Sequence, residues 1–533
     1  MSADPKACSG PSHGPNGQGQ SYETADLLAF LCDPKSYPHR ADTVTCVETH
    51  ASIVFLAGDR AYKLKRAVKL PYLDYSTVEK RRAAIQREFE INARASPEIY
   101  VGTVAVVRLD TGGFALGAEG QAVDWLLVMH RFNETDVLNS LASEGKIDRP
   151  LATALANSIE HVHRLSERVN DGQWLGTIDS IVAGIEAALL GGEAQAVGLQ
   201  LAPYAARLRR EIASHADLAA ERGRDGFVRR CHGDLHLRNI VLWKGEPRLF
   251  DAIEFDEKLQ IIDVLYDLAF LLMDLWTRGL RGQANSVLNR AFESAGPRDF
   301  EGLALLPLYL SLRAAIRAMT GLHALRFGQD EHRSQAIVEI GRYAAAAEEF
   351  LRPGKPKLVA VGGLSGTGKS TVAREIAPPL GRPPGAIHLR TDVERKLMLG
   401  VPWEQPLPAD AYTAENRDET YRRIFKKAEV VLAAGHSAII DAVFPEASAR
   451  AFARDVAQRT NATFYGMWLE ATADALKRRV AERTGDASDA DAHVVQQQLC
   501  TVLAPGDWVR IDACGTPDAT IAVAAQALQN AQK

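Results

Sequence analysis

The stretch "CHGDLHLRNI" (231–240) decides the fold of the first part of this chain. It places His232, Asp234 and Asn239 in the spacing H-x-D-x-x-x-x-N. A carboxylate at Asp234 can orient or deprotonate an acceptor hydroxyl, and the amide oxygen of Asn239 can ligate Mg2+ beside it. Alone the spacing is a weak signal. It strengthens because "RLFDAIEF" (248–255) follows, with Asp251 at the end of an apolar strand. Mg2+ prefers one or two such carboxylate oxygens together with phosphate oxygens. His232 reads as a packed, hydrogen-bonded residue rather than a base.

Upstream, "ASIVFLAGDRAYKLKR" (51–66) is two short apolar runs joined at Gly58-Asp59, a hairpin signature. Lys63 and Lys65 share one face of its second strand, because side chains alternate. Lys63, between Tyr62 and Leu64, is the expected phosphate-binding lysine, with Lys65 as the alternative. The next segment opens with a Ser76-x-x-Glu79 box and continues at helical spacing. Glu88 on that helix is the expected partner of the lysine, while Glu90 points about 200° away. "DWLLVMHRF" (124–132) reads as a buried strand running into a connector. Strands first and helices later, with a loop-and-hairpin insert, indicate a two-lobed α+β arrangement.

A second motif lies far downstream. Gly363-Leu-Ser365-Gly366-Thr367-Gly368-Lys369-Ser370-Thr371 satisfies G-x-x-x-x-G-K-S between a strand "KLVAVGGL" and a helix "STVAREIA". Glycines let the backbone curl its N–H groups around phosphate, and the helix adds its positive end. Lys369 would neutralise the β- and γ-phosphates of ATP, and Ser370 would offer its hydroxyl to Mg2+. Gly363, Ser365, Gly366, Thr367, Gly368 and Thr371 complete the expected cradle. Asp392 in "LRTDVERK" follows the second strand and is the expected acceptor-side carboxylate, with Arg390 or Arg395 holding an anionic part of the acceptor. Asp441, ending the strand "SAIID", is a second carboxylate candidate. Arg478, Arg479 and Arg483 enter "GDASDAD" (485–491), a candidate lid. The alternation of strands and helices after 357 reads as a doubly wound parallel α/β sheet of the P-loop NTPase kind.

These residues carry two resemblances. "HGDLHLRNI", Asp251 and the later "IIDVLYDLAFLL" (261–272) resemble the aminoglycoside-phosphotransferase and choline-kinase-like branch of the protein-kinase fold, over about 40–350. That resemblance implies Asp263 and Asp267 as braces of the catalytic loop. The chain departs from it in lacking a G-x-G-x-x-G loop, reduced here to "LAGDR". The segment 357–512 resembles AAA-family and small-molecule P-loop kinases of the gluconate- and shikimate-kinase type, and the zeta-toxin and polynucleotide-kinase branch. The whole therefore looks like a fusion of the two.

Bulk properties agree with large soluble cores. Of 533 residues, 46% are hydrophobic and 24% charged. The net charge of −5 offers no field for nucleic acid. Six cysteines without a C-x-x-C pair read as reduced thiols in a cytoplasm. The apolar runs 265–276 and 303–322 carry acidic residues or Arg313, Arg317 and Pro307, so they read as buried helices rather than membrane spans. Arg313 and Arg317 are also one helical face that could line an acceptor pocket. The expected layout is a tail (1–22), a kinase-like domain (23–352), a linker (353–356) and a P-loop domain (357–533). The expected activity is transfer of the ATP γ-phosphoryl group to small-molecule hydroxyls at two Mg2+-dependent centres. The alternatives are an ATP-binding regulator, or a P-loop kinase acting on a nucleic-acid or nucleotide-sugar hydroxyl.

Overall fold

The computed structural model describes residues 6–7, 21–49, 51–70, 73–170, 172, 174–191, 194–195, 197–199, 202–325, 333–402, 405–408, 411–482, 487–502 and 504–531. Packing divides the chain into two compact units. The first comprises Met1–Ile147, His161–Trp174 and Val228–Asp267, and the second Asp148–Glu160, Leu175–Phe227 and Leu268–Lys533. The expected linker at 353–356 thus lies inside the second unit.

The first unit holds a seven-stranded antiparallel sheet. Its strands are β1 (Lys6–Ala7), β2 (Val44–Glu48), β3 (Ser52–Ala57), β4 (Arg60–Lys65), β7 (Tyr100–Arg108), β8 (Phe114–Leu116) and β9 (Gln121–His130), in the order β1-β2-β3-β4-β9-β7-β8. A small ribbon of β5 (Lys69–Leu70) and β6 (Leu73–Asp74) follows β4. Within the expected tail, Lys6–Ala7 pairs with Thr45 and Cys46, and a helix begins at Ser21. The β3–β4 hairpin turns at Gly58, whose φ of +56° suits glycine, and a Cβ there would meet the Arg40 carbonyl at 2.7 Å.

Alternation along β4 sorts its side chains. Tyr62 and Leu64 join a core with Leu31, Phe55, Val106 and Leu126 on one face of the sheet. Lys63 and Lys65 therefore point to the other face, where the helix Val78–Ala95 packs through Ile85 against Ile99 and Leu127. The N-cap of that helix is Thr77, whose hydroxyl accepts the Lys80 amide, and not the expected Ser76. Ser76 is already committed, because its hydroxyl donates to Asp74 at 2.5 Å. Next come β10 (Val228–Arg230), paired with β13 (Ile261–Asp263), and the hairpin β11 (Ile240–Trp243) and β12 (Glu246–Leu249). The sulfurs of Cys32 and Cys46 approach to 3.9 Å, a proximity that sequence spacing did not foretell.

The second unit contains a five-stranded parallel sheet. It is built from β14 (Lys357–Gly363), β15 (Ile387–Arg390), β16 (Ala438–Asp441), β17 (Thr463–Glu470) and β18 (Val509–Asp512), in the order β15-β16-β14-β17-β18. The central β14 is buried through six of its seven residues, as a strand covered by helices on both faces must be. Helices of the preceding region share this unit. The stretch Pro297–Leu325 is long and apolar enough to cross a membrane by length and composition, but 78% of its most apolar window is buried inside the protein. Within it Arg313 and Arg317 lie over the rings of Phe270 and Tyr343, which occupies the face expected to line a pocket.

His436, fully buried just before β16, is pushed down to about 4 by burial, with the Arg382 charge adding. An unfolded histidine protonates near 6.5. Between these values the unfolded chain binds the extra proton, so stability present above pH 6.5 is lost as pH falls towards 4. The expected loss from this residue is ~3 kcal/mol. Urea unfolding of the wild type and His436→Gln at pH 7 and pH 4.5 measures it, and the variant should show the shallower pH dependence.

Candidate functional sites

In the first unit the helix Val78–Ala95 carries Glu88 into contact with both lysines of β4. Lys63 Nζ donates to Glu88 Oε1 at 2.7 Å and to Asp251 Oδ1 at 2.6 Å. Lys65 Nζ lies 2.6 Å from Glu88 Oε2 and also bonds Glu254, which accepts the Tyr75 hydroxyl at 2.8 Å. Glu88 is fully buried, whereas the Asp251 side chain keeps 47% of its surface exposed. Burial alone would lower the Lys63 ammonium, but Asp251, Glu88 and Glu254 hold it well above the usual lysine range. Burial would raise Asp251, and Lys63 outweighs it, so this carboxyl sits below its ordinary value. Glu90 instead accepts from Gln86 on the surface.

Asp251 has a φ of +60°, rare for a residue with a side chain. Tyr100 at the start of β7, with Asn92 of the helix and Ser96 at its exit, holds this stretch of backbone. Tyr100 Oη accepts the Asp251 N–H at 2.9 Å, Asn92 Oδ1 accepts the Ala252 N–H at 2.9 Å, and Ser96 Oγ donates to the Leu249 carbonyl at 2.6 Å. The same helix therefore holds both the lysine pair and the backbone next to Asp251.

The catalytic loop is held from below. Asp267 accepts the backbone N–H groups of His232 (3.2 Å) and Gly233 (3.0 Å), and it bonds His163 Nε2 at 3.0 Å. Asp263 accepts from Leu265 at the start of its own helix. His232 Nε2 bonds the Phe250 carbonyl at 2.9 Å while its Nδ1 accepts the Asp234 amide at 3.3 Å. Its pKa is lowered by burial, which suits a neutral ring fixed in one tautomer. Asn239 Nδ2 donates to both the carbonyl and the carboxylate of Asp234, each at 3.0 Å. At the connector, the Arg131 amide donates to the Asp59 carbonyl at 2.9 Å.

In the second unit, the loop after β14 takes the glycine-dependent form that its motif requires. Gly363, Gly366 and Gly368 have φ values of +141°, +85° and +86°. A Cβ at Gly363 would meet the Leu469 carbonyl at 2.6 Å, and one at Gly366 the Leu476 carbonyl at 2.8 Å. Such a curled, glycine-rich backbone fits phosphate because its N–H groups can turn towards the anion. Lys369 and Ser370 open the helix Lys369–Ile376, with Thr371 next to them. Lys369 Nζ donates to the Leu364 carbonyl at 3.0 Å, and Thr367 Oγ1 donates to the same carbonyl at 2.8 Å. The Ser365 amide donates to Gln498 Oε1 at 2.8 Å, from the helix Ala492–Thr501.

Asp441 faces this loop from the neighbouring strand. It accepts from His388 Nε2 at 3.3 Å and has Arg390 Nε at 3.7 Å. Burial opposes its ionisation, but His388, Lys369 and Arg390 hold it far below the carboxylate range. Arg390 reaches Ser370 Oγ at 3.4 Å. Asp392 lies in the first turn of the helix Thr391–Leu399 and pairs with Arg395 at 3.2 Å. Of the expected lid, Arg483, Gly485 and Asp486 lie outside the described residues. Its Asp489 bonds the buried Lys396 at 2.9 Å, and also the Leu407 amide and the Tyr412 hydroxyl. Arg479 contacts the Gly515 carbonyl at 3.2 Å.

Comparison with known proteins matches residues 75–306 to the phosphotransferase enzyme family and residues 358–505 to an AAA domain. The chain joins a phosphotransferase-family domain to a P-loop AAA domain, in that order. An uncharacterized protein of Mycobacterium tuberculosis is 29% identical over 484 residues, spanning 89% of this chain and 93% of its own. Among solved structures, a choline/ethanolamine kinase family protein from Mesorhizobium loti aligns at 15% identity and a TM-score of 0.34, covering 61% of this chain and 98% of that one. A gluconokinase from Sinorhizobium meliloti aligns at 22% identity and a TM-score of 0.25, covering 34% of this chain and 100% of that one.

In the first unit the structure brings Lys63, Glu88 and Asp251 together, and joins Asp234 to Asn239. In the P-loop domain it gathers Lys369, Ser370, Arg390 and Asp441, while Asp392 pairs with Arg395. Sequence reasoning missed Tyr100, Asn92, Glu254, His388 and Gln498. Glu254 had a signal, a carboxylate three residues past Asp251 opposite a second strand lysine. Replacing Glu88 by glutamine leaves two buried ammonium groups short of a counter-charge. Glu88→Gln should destabilise the first unit by ~3–5 kcal/mol, the usual cost of breaking a buried pair. Denaturant unfolding followed by hydrogen exchange in the helix Val78–Ala95 checks this.

Proposed function

We propose that the protein is an ATP- and Mg2+-dependent phosphotransferase with two nucleotide-binding centres, each serving hydroxyl groups of small molecules. The observation that carries the reading is that one chain holds both a Lys63–Glu88–Asp251 cluster beside Asp234 and Asn239 and a glycine-rich loop that opens the helix of Lys369 and Ser370. When bound, ATP supplies the transferable phosphoryl group and Mg2+ the counter-charge on its oxygens.

In the first centre Lys63, steadied by Glu88, is the cation for the inner phosphates. Asp251 and Asn239 are the oxygen donors for the metal. Asp234 is the acceptor-side base, oriented by the two bonds from Asn239. In the second centre Lys369, whose ammonium donates to the Leu364 carbonyl, is the cation for the outer phosphates. Ser370 and Asp441 are the metal-side oxygens, and Arg390 adds positive charge where the transferred group passes. Asp392 orients the acceptor hydroxyl, with Arg395 beside it. Catalysis in both centres is positioning and charge neutralisation, without a protein nucleophile. The reading places the protein in the cytoplasm, with small-molecule acceptors and no nucleic-acid partner.

A metabolite-library phosphorylation screen tests this with the wild type, Lys369→Ala and Asp234→Asn. The expected result is at least one product that falls at least 100-fold in one variant and persists in the other. ATP binding without acceptor-stimulated ADP release from any preparation would instead favour a nucleotide-operated regulator.

A further inference from the structure

The P-loop sheet has an edge. Strand β15 lies at the end of the strand order, so one side of it has no strand neighbour. Such an edge presents unpaired backbone groups. Here two asparagines from the helix Arg281–Ala291 meet that edge. Asn285 Nδ2 donates to the carbonyls of Pro384 (3.0 Å) and Ala386 (3.1 Å). Asn289 Nδ2 donates to Ala386 O at 3.1 Å, and Asn289 Oδ1 accepts the His388 N–H at 2.6 Å. The two amides also bond each other at 3.0 Å. Asn285 is 3% exposed, and a Cβ on Gly385 would strike its amide nitrogen at 2.8 Å, so the fit is close.

This helix belongs by sequence to the phosphotransferase-family segment, whereas β15 belongs to the AAA segment. Both lie in the second compact unit. Side-chain amides thus do for β15 what a sixth strand would do, offering one acceptor and several donors along the edge. What they hold is chemically important. The His388 backbone is fixed by Asn289, while its ring donates to Asp441. Two residues further on, Arg390 reaches Ser370 and Asp441. The helix that follows the loop, Lys369–Ile376, is also engaged, through an Arg149–Glu375 pair at 2.7 Å.

We propose that Asn289, with Asn285, is a positioning residue for the P-loop centre, so that the phosphotransferase-family segment supplies a structural part of its neighbour's active site. The inference rests on reading that centre as a Mg·ATP site. It gives the fusion a physical reason: the P-loop domain borrows the clamp for its acceptor-side strand. The clamp sets the register of His388 and Arg390 against the loop, and hence the place of Asp441 at the metal side.

The test uses the full chain with the other pocket silenced by Asp251→Ala. Hydrogen exchange of the His388 amide and calorimetric ATP affinity, with and without Mg2+, are measured before and after Asn289→Leu. The expected result is exchange at His388 at least tenfold faster. The Mg2+-dependent gain in ATP affinity should fall about tenfold, with Mg2+-free binding little changed. A general loss of folding would weaken both forms of binding together. If Asn289→Leu shows no cooperative unfolding, Asn289→Ala carries the same expectations without adding apolar bulk. Unchanged exchange and an unchanged Mg2+ effect overturn the proposal. Failure of the Asp251→Ala protein itself to bind ATP overturns instead the reading of the P-loop centre.

Discussion

One buried carboxylate, Glu88, is shared by two ammonium groups, and the first site is arranged around that constraint. An ion removed from water is costly unless it is paired and hydrogen-bonded. Lys63 and Lys65 sit on one face of β4 because a strand alternates, so both are carried under the same helix. Glu88 alone cannot balance two charges. Glu254 completes the inner pair and Asp251 the outer one. The outer pair is the more exposed of the two.

The two sites solve the same electrostatic problem with different materials. In the first, side chains on a helix and a strained aspartate converge, and Tyr100, Asn92 and Ser96 keep the Asp251 backbone at its unusual φ. In the second, backbone curvature does most of the work, and the glycines are required because carbonyls lie where a Cβ would be. Side-chain charge enters the second site mainly from the neighbouring strands β15 and β16.

Much of this was legible in the residues, for identifiable reasons. The Walker loop is local: its spacing, flanking strand and flanking helix all fall within a short run. Lys63, Glu88, Asp234, Asn239 and Asp251 were readable because each lies at a strand end, a helix face or a loop spacing with a known role. The residues that sequence reasoning missed act across long separations. Tyr100 meets Asp251, Asn289 meets His388, and Gln498 meets Ser365, and no periodicity links such pairs. The capping residue shifted from Ser76 to Thr77 because Asp74 claims the serine, a competition visible only in three dimensions. Strands β2, β7, β8 and β18 also escaped, since their apolar alternation is short or interrupted. The parallel sheet and the two-lobed pattern did not depend on them.

The central claim is that two separate pockets in this chain each take up Mg·ATP. Isothermal titration of the full-length protein tests it most directly. The account predicts close to two nucleotides per chain, falling to one in Lys369→Ala with the remaining affinity unchanged. A stoichiometry of zero, or a single site indifferent to Lys369→Ala, would contradict it.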